Sequence, residues 1–193
     1  MKEALQQAIE GMGSGDPEKR VTSATVIHHL GRGLAHHAVF LWFSDQELSK
    51  LLGGHSPAVT VGLAVTPERF EKIREANGLP RLAEVPPDQD AREFELHFPG
   101  GLSMDILTTK DPAGGGAIAR FLQKSGEGIQ QVEFRCEDVN RATQILQEKF
   151  SMNPVYPAAR PGADGTRVNF FLVSAPSAPK VLIELYEPAP RID

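Results

Sequence analysis

Cysteine is almost absent from this 193-residue chain: Cys136 is the only one. A single cysteine excludes an internal disulfide and any zinc site built from several cysteines. A reducing compartment, the cytoplasm, is the simplest reading. There is no excess of basic residues either: 20 Lys plus Arg stand against 25 Asp plus Glu, a formal charge of −5. That balance gives no electrostatic footing for a nucleic-acid backbone or an anionic membrane surface. The longest apolar run, Ala38 to Phe43, is too short to cross a bilayer. The opening segment MKEALQQAIEGM interleaves polar with apolar residues and lacks the hydrophobic block of a signal peptide. Aromatic residues are sparse, at 7% with one Trp, but 40% hydrophobic and 23% charged is an ordinary globular composition. The expectation is one or two small domains with no nucleic-acid or membrane partner.

Up to about residue 55 the chain reads as a mainly helical N-terminal extension. Leu5, Ala8, Ile9 and Met12 recur at helical spacing until Gly13-Ser14-Gly15. Asp16-Pro17-Glu18 starts a second helix, which the pattern takes to about His29, with Gly31 and Gly33 as stops. The stretch AHHAVFLWF suits a buried strand and a buried helix equally. Ser44 and Glu47 form a capping box for a short helix closed by Gly53-Gly54. Four histidines, His28, His29, His36 and His37, fall close together, but adjacent pairs project in different directions, so a structural role is expected.

From Pro57 the pattern changes. Val59 to Val65 reads as a strand, Thr66-Pro67 caps a helix that Asn77-Gly78 ends, and Glu93–Phe98 with Leu102–Thr108 reads as a hairpin about Pro99-Gly100-Gly101. A short helix at Ala117 to Lys124 follows Gly114-Gly115-Gly116. The order then recurs: a strand at Ile129 to Cys136, a helix carrying Val139, Ala142, Ile145 and Leu146, and strands near Val155, at Arg167 to Val173 and at Lys180 to Glu187. This is an internal repeat of two β-α-β-β-β modules, at about 57–110 and 128–188, joined by a linker helix at 116–124.

The string GAIARFLQKSGEGIQQVEFRCEDVNRA, the string RPGADGTRVNFF followed by VLIELYEP, and SMDILTTKDP together resemble segments of methylmalonyl-CoA epimerases. These belong to the vicinal oxygen chelate (glyoxalase-like) superfamily. The resemblance spans roughly Ala58 to Pro188 and implies an α+β fold: residues 56–190 form one domain of two modules, whose cup-shaped sheet surrounds a divalent metal. That metal chelates substrate oxygens and stabilises an enolate during proton transfer. The family's ligands are a His on the first strand, a Gln or Glu on the fourth, a His on the fifth and a Glu on the eighth. Carried over by motif, these fall on Thr60, Asp105, Gln131 and Glu184, so both family histidines are replaced. The family's proton-shuttling Glu corresponds to Asp88, with a one-residue insertion.

Strand alternation describes the face those residues occupy. Gln131, Glu133 and Arg135 share one side of their strand, Thr60, Gly62 and Ala64 one side of theirs, and Leu182, Glu184 and Tyr186 one side of the last. If Phe98 pairs with Leu102, His97 faces Ser103 on the side of Asp105 and Glu95, which brings a histidine toward the face from a new position. Inward carboxylates repel unless a cation, Arg135 or raised pKa values relieve them. An oxygen-rich set suits a hard cation better than zinc; the implied cofactor is a divalent ion, Mg²⁺, Mn²⁺ or Co²⁺, on Asp105, Gln131, Glu184, Thr60 and His97. Three functions stay open, the third a structural or regulatory partner whose helical N-terminal extension mediates assembly while the cup is vestigial. In the first, an isomerase- or lyase-type proton transfer on a small acyl-thioester or oxygenated metabolite uses Glu184, Asp88 and Glu133 as catalytic groups. In the second, a metal-free binding or sequestering protein holds its ligand through Arg135 and Tyr186. By analogy with the superfamily the chain is expected to be a homodimer.

Overall fold

In a computed structural model, residues 2–54, 56–174 and 180–190 are described. They form six α-helices and seven β-strands in the α+β arrangement expected of the repeat. Helix α1 (Lys2–Met12) stops at its glycines, and α2 (Pro17–Val39) begins at Asp16, whose Oδ1 accepts the Glu18 N–H at 2.9 Å. The expected stop near His29 is not where α2 ends: it continues through both glycines to Val39, and the ambiguous AHHAVFLWF stretch is its last turn plus a 3-10 helix, Phe40–Ser44. Gly31 is there for close approach, not termination, since a Cβ on it would lie 2.7 Å from both Cγ atoms of Val61. The expected cap also shifts by one residue. Asp45 caps α3 (Gln46–Leu51) through the Leu48 N–H at 2.9 Å, while Ser44 Oγ donates to the Leu41 carbonyl and Glu47 pairs with Arg141.

The chain divides into two units, Met1–Gly31 with Thr60–Gln130, and Arg32–Val59 with Gln131–Asp193. In the first, β1 (Val59–Ala64) runs parallel to β3 (Leu102–Thr108), and β3 pairs antiparallel with β2 (Arg92–Phe98) across a turn in which Gly100 and Gly101 hold φ of +84° and +74°. Helix α4 (Pro67–Ala76) makes the crossover after its Thr66 cap. One face of these strands (Val61, Leu63, Phe94, Leu96, Met104, Ile106) shares a core with Ile9 and Met12 of α1, Ala24 and Ile27 of α2, and Phe70 and Ile73 of α4. The opposite face is covered at one end. There α5 (Ala117–Ser125) sets Ile118, Phe121 and Leu122 against Ala64 and Leu107. Where the module pattern places a further strand, residues 79–91 are irregular, with one ladder-like bond from the Ala83 N–H to the Glu93 carbonyl.

The second unit repeats the topology. Strand β4 (Gly128–Arg135) runs parallel to β7 (Val181–Glu187), which pairs antiparallel with β6 (Arg167–Val173), and the two-residue β5 (Arg160–Pro161) extends β6. The strand expected near Val155 is a single bridge between Pro154 and Phe171. Helix α6 (Val139–Phe150) packs on β6 and β7 with Val139, Ala142, Ile145 and Leu146 buried, and Phe134, Phe171, Ile183 and Leu185 of the strands are buried as well. Trp42 meets Phe171 edge to face and Phe43 meets Phe134, whereas Phe40 is 64% exposed. Cys136 is buried on this apolar side, and burial pushes its thiol up to about 12. No described helix is long and apolar enough to cross a membrane.

Candidate functional site

The second unit gathers buried polar groups on the side of its sheet away from α6. The register sets Gln131 beside Leu182, Glu133 beside Glu184 and Arg135 beside Tyr186 on β4 and β7, so alternation puts all six on one face. Gln131, Glu133 and Glu184 are all buried. The Gln131 amide nitrogen lies 3.0 Å from Glu133 Oε1 and 2.5 Å from Glu184 Oε2, so its two N–H bonds are spent on the two carboxyl groups. An amide donor compensates in part the cost of setting two buried acids side by side. Arg135, expected as a possible relief for them, sits at the exposed end of the face, and Tyr186 beside it is half-buried.

On β6 the same face continues through Phe170, the partner of Glu184, and Val168, the partner of Tyr186. Phe170 meets Tyr156 edge to face at 6.0 Å, and the Arg160 guanidinium stands 4.7 Å over the Tyr156 ring. Sequence reading missed Tyr156 and Arg160, because a two-residue strand in an irregular loop carries no periodicity.

The first unit presents the corresponding face with different contents. Thr60 pairs with Ser103 and Gly62 with Asp105, so Thr60 and Asp105 lie on one face, in neighbouring rows. Thr60 is buried and Asp105 half-buried. The hairpin register is as expected: Phe98 opposes Leu102, and His97 opposes Ser103, with Nδ1 and Oγ 3.2 Å apart. His97 Nε2 is 3.5 Å from Glu95 Oε2, and both side chains are largely exposed. Asp88 lies in an exposed turn. Its neighbour Asp90 has a structural role. It accepts the Thr109 hydroxyl at 2.5 Å and the backbone N–H groups of Lys110 and Asp111, contacts that hold its carboxyl below the usual range, the Thr109 bond foremost. Of the four clustered histidines, His28 is buried while His29, His36 and His37 are exposed.

Among the described residues no group of three or more His, Cys, Asp or Glu is arranged to hold a metal ion. The Gln131 amide turns N–H donors to both Glu133 and Glu184, where a cation needs lone pairs. The donor set of the second unit therefore does not fit a divalent ion.

No protein-family model matches the chain, and no curated protein does. Solved structures match well. A methylmalonyl-CoA epimerase from Mycobacterium tuberculosis is 34% identical with a TM-score of 0.55, the match covering 68% of this chain and 87% of that one. The chain belongs to the vicinal oxygen chelate, or glyoxalase-like, superfamily. A hypothetical protein from Bacillus halodurans is 26% identical with the same TM-score, over 69% of this chain and 95% of that one. A variant of Streptomyces coelicolor methylmalonyl-CoA epimerase in complex with 2-nitronate-propionyl-CoA matches at 21% identity and TM-score 0.55, over 70% and 99%; at that identity it shows the fold alone.

Proposed function

We propose that this chain moves a proton at the carbon next to the carbonyl of a small acyl thioester, using Glu133 and Glu184. The buried pair bridged by Gln131 carries this reading. Adjacent buried carboxyl groups favour a single shared charge, which leaves one as a base and one as an acid. The ionised member takes the proton α to the carbonyl, and the protonated member returns one to the same carbon. The product is the epimer, or the starting compound with an exchanged hydrogen. Arg135 and Tyr186, one row along the face, bind the ligand. The thioester is suggested by the epimerase whose structure this chain resembles at 34% identity. A homodimer in the cytoplasm is the accompanying expectation, and light scattering at several concentrations tests its first half.

The test is α-hydrogen exchange in deuterium oxide, followed by proton NMR with methylmalonyl-CoA and propionyl-CoA. Exchange that Glu184→Gln and Glu133→Gln each abolish supports the reading. Tight binding of either thioester without exchange assigns the chain to the metal-free binding class instead.

A further inference from the structure

The first unit carries a second polar cluster, on the face of its sheet opposite the core shared with α1, α2 and α4. Pairing links Thr60 of β1 to Ser103 of β3, and Ser103 to His97 of β2, so these three side chains form one row across the strands. The next row is Gly62, Asp105 and Glu95, in which Gly62 leaves its place without a side chain. His97 meets two partners through different ring nitrogens: Nδ1 lies 3.2 Å from Ser103 Oγ, and Nε2 lies 3.5 Å from Glu95 Oε2. A carboxylate accepts only, so it holds the ring proton on Nε2 and leaves the Nδ1 lone pair to accept the Ser103 hydroxyl. A hydroxyl turned to a base whose other nitrogen is oriented by an acid is the arrangement that activates an alcohol as a nucleophile. On the other side of Ser103, Thr60 is 6% exposed, and its hydroxyl has no hydrogen-bond partner among the described residues. Leaving a buried hydroxyl unmatched costs free energy. Beside a nucleophile, that spare donor is placed for the negative charge that develops on a carbonyl oxygen under attack.

We propose that Ser103, His97 and Thr60 form an acyl-transfer site that hydrolyses small esters with good leaving groups, with Glu95 as the residue that positions His97. Ser103 Oγ attacks the ester carbonyl carbon while His97 Nδ1 takes its proton, and the carbonyl electron pair moves onto oxygen, to which the Thr60 hydroxyl donates. The pair then returns, the bond to the leaving oxygen breaks, and the Nδ1 proton passes to the departing oxygen. Water, deprotonated by Nδ1 in its turn, attacks the acyl group on Ser103 and frees the carboxylic acid and the serine hydroxyl. Ser103 is half-buried and the His97 side chain is 69% exposed, so the cluster is open to small molecules from solvent and turnover is slow. No residue of the proton transfer proposed for the second unit takes part, and each reading stands or falls by its own assay.

The test treats the full-length protein with para-nitrophenyl acetate, follows nitrophenolate release, and locates the acetyl group by peptide mass spectrometry after an acid quench. Wild type, Ser103→Ala, His97→Gln, Thr60→Val and Glu95→Gln are compared, each checked for an unchanged melting temperature. Wild type is expected to carry the acetyl group on Ser103. His97→Gln should slow that acetylation by about a hundredfold or more, the usual scale for a lost general base. Thr60→Val should slow it by about a hundredfold, as for one lost oxyanion donor. Glu95→Gln should slow it less than His97→Gln does, and should move the His97 ring-nitrogen NMR signals away from the Nε2–H tautomer, a change that a merely structural carboxylate would not produce. A fluorophosphonate probe keeps the result readable if Ser103→Ala does not fold: it should label Ser103 in wild type and not in His97→Gln. Acetyl groups on lysine or histidine alone, nitrophenolate release at equal rates in wild type and Ser103→Ala, or equal labelling of wild type and His97→Gln would each overturn the proposal.

Discussion

The two units carry the same strand order and opposite chemistry on the corresponding face. Aligned by topology, Thr60, Gly62 and Ala64 of β1 stand where Gln131, Glu133 and Arg135 stand on β4, and Ser103, Asp105 and Leu107 of β3 stand where Leu182, Glu184 and Tyr186 stand on β7. The first unit keeps small residues and one acid, and α5 closes the end of its face over Ala64 and Leu107. The second buries two acids and an amide and leaves Arg135 exposed at the equivalent end. The lesson is that duplication fixes backbone positions, not their chemistry: one copy keeps small side chains where the other buries ionisable ones.

Glutamine substitutions should break that comparison most strongly. Glu184→Gln and Glu133→Gln are each expected to slow α-hydrogen exchange by about a hundredfold or more, the usual scale for a lost acid–base group. Asp105→Asn, the equivalent change in the first unit, should slow it by less than about tenfold. Equal losses at all three positions, measured by NMR exchange rates, would show that the units share the chemistry.

A second comparison lies within α2. Gly31→Leu forces a side chain into Val61 and should destabilise the protein by about 1–3 kcal/mol, the range for overpacking. Gly33→Ala meets nothing within 4 Å and should stabilise by up to about 1 kcal/mol, because alanine is the better helix former. Urea unfolding of both variants checks the pair, and a Gly33→Ala protein that is less stable than wild type would show that this glycine is needed for itself.

Asp90 gives the first unit a loop clip that reports on pH. Its carboxyl is held below the usual range by the Thr109 hydroxyl and then by backbone N–H groups, so its contribution is complete above the ordinary carboxylate range. That contribution is lost as pH falls through the lowered value. Asp90→Asn should therefore cost about 1–2 kcal/mol at neutral pH and narrow to nothing in acid, as followed by thermal melts from pH 7 to 2. A gap that stays constant with pH would point to sterics in place of charge. The smallest effect concerns Cys136, whose thiol, pushed up to about 12, should react with a thiol reagent only on global unfolding.

Much of this was legible in the residues. The alternation of Phe94, Leu96 and Phe98 against Glu95 and His97, with a Pro-Gly-Gly turn, specified the hairpin register down to the His97–Ser103 pair, because a two-residue period has only two phases and burial picks one. Thr66 as a helix cap is a local hydrogen bond and follows from local sequence. The end of α2 was not legible, since the same glycine that stops an isolated helix also admits a strand at close range, and only Val61 tells the two apart. Residues 79–91 do not continue the module pattern, and Asp90 is tied down there by Thr109 and Lys110.

What the sequence determined by itself is the repeat, the order of strands and helices, and which side chains share a face. These depend on periodicity and on turns of a few residues, which are short-range physics. Only the tertiary structure decided that the Gln131 amide spends its donors on Glu133 and Glu184, and that Arg160 stacks on Tyr156 one row away. Those contacts join Gln131 to a strand 53 residues away and set a loop over a sheet. No local pattern encodes which polar group meets which, because the choice is made by desolvation: each buried polar atom must find a partner among whatever the packed fold brings within reach.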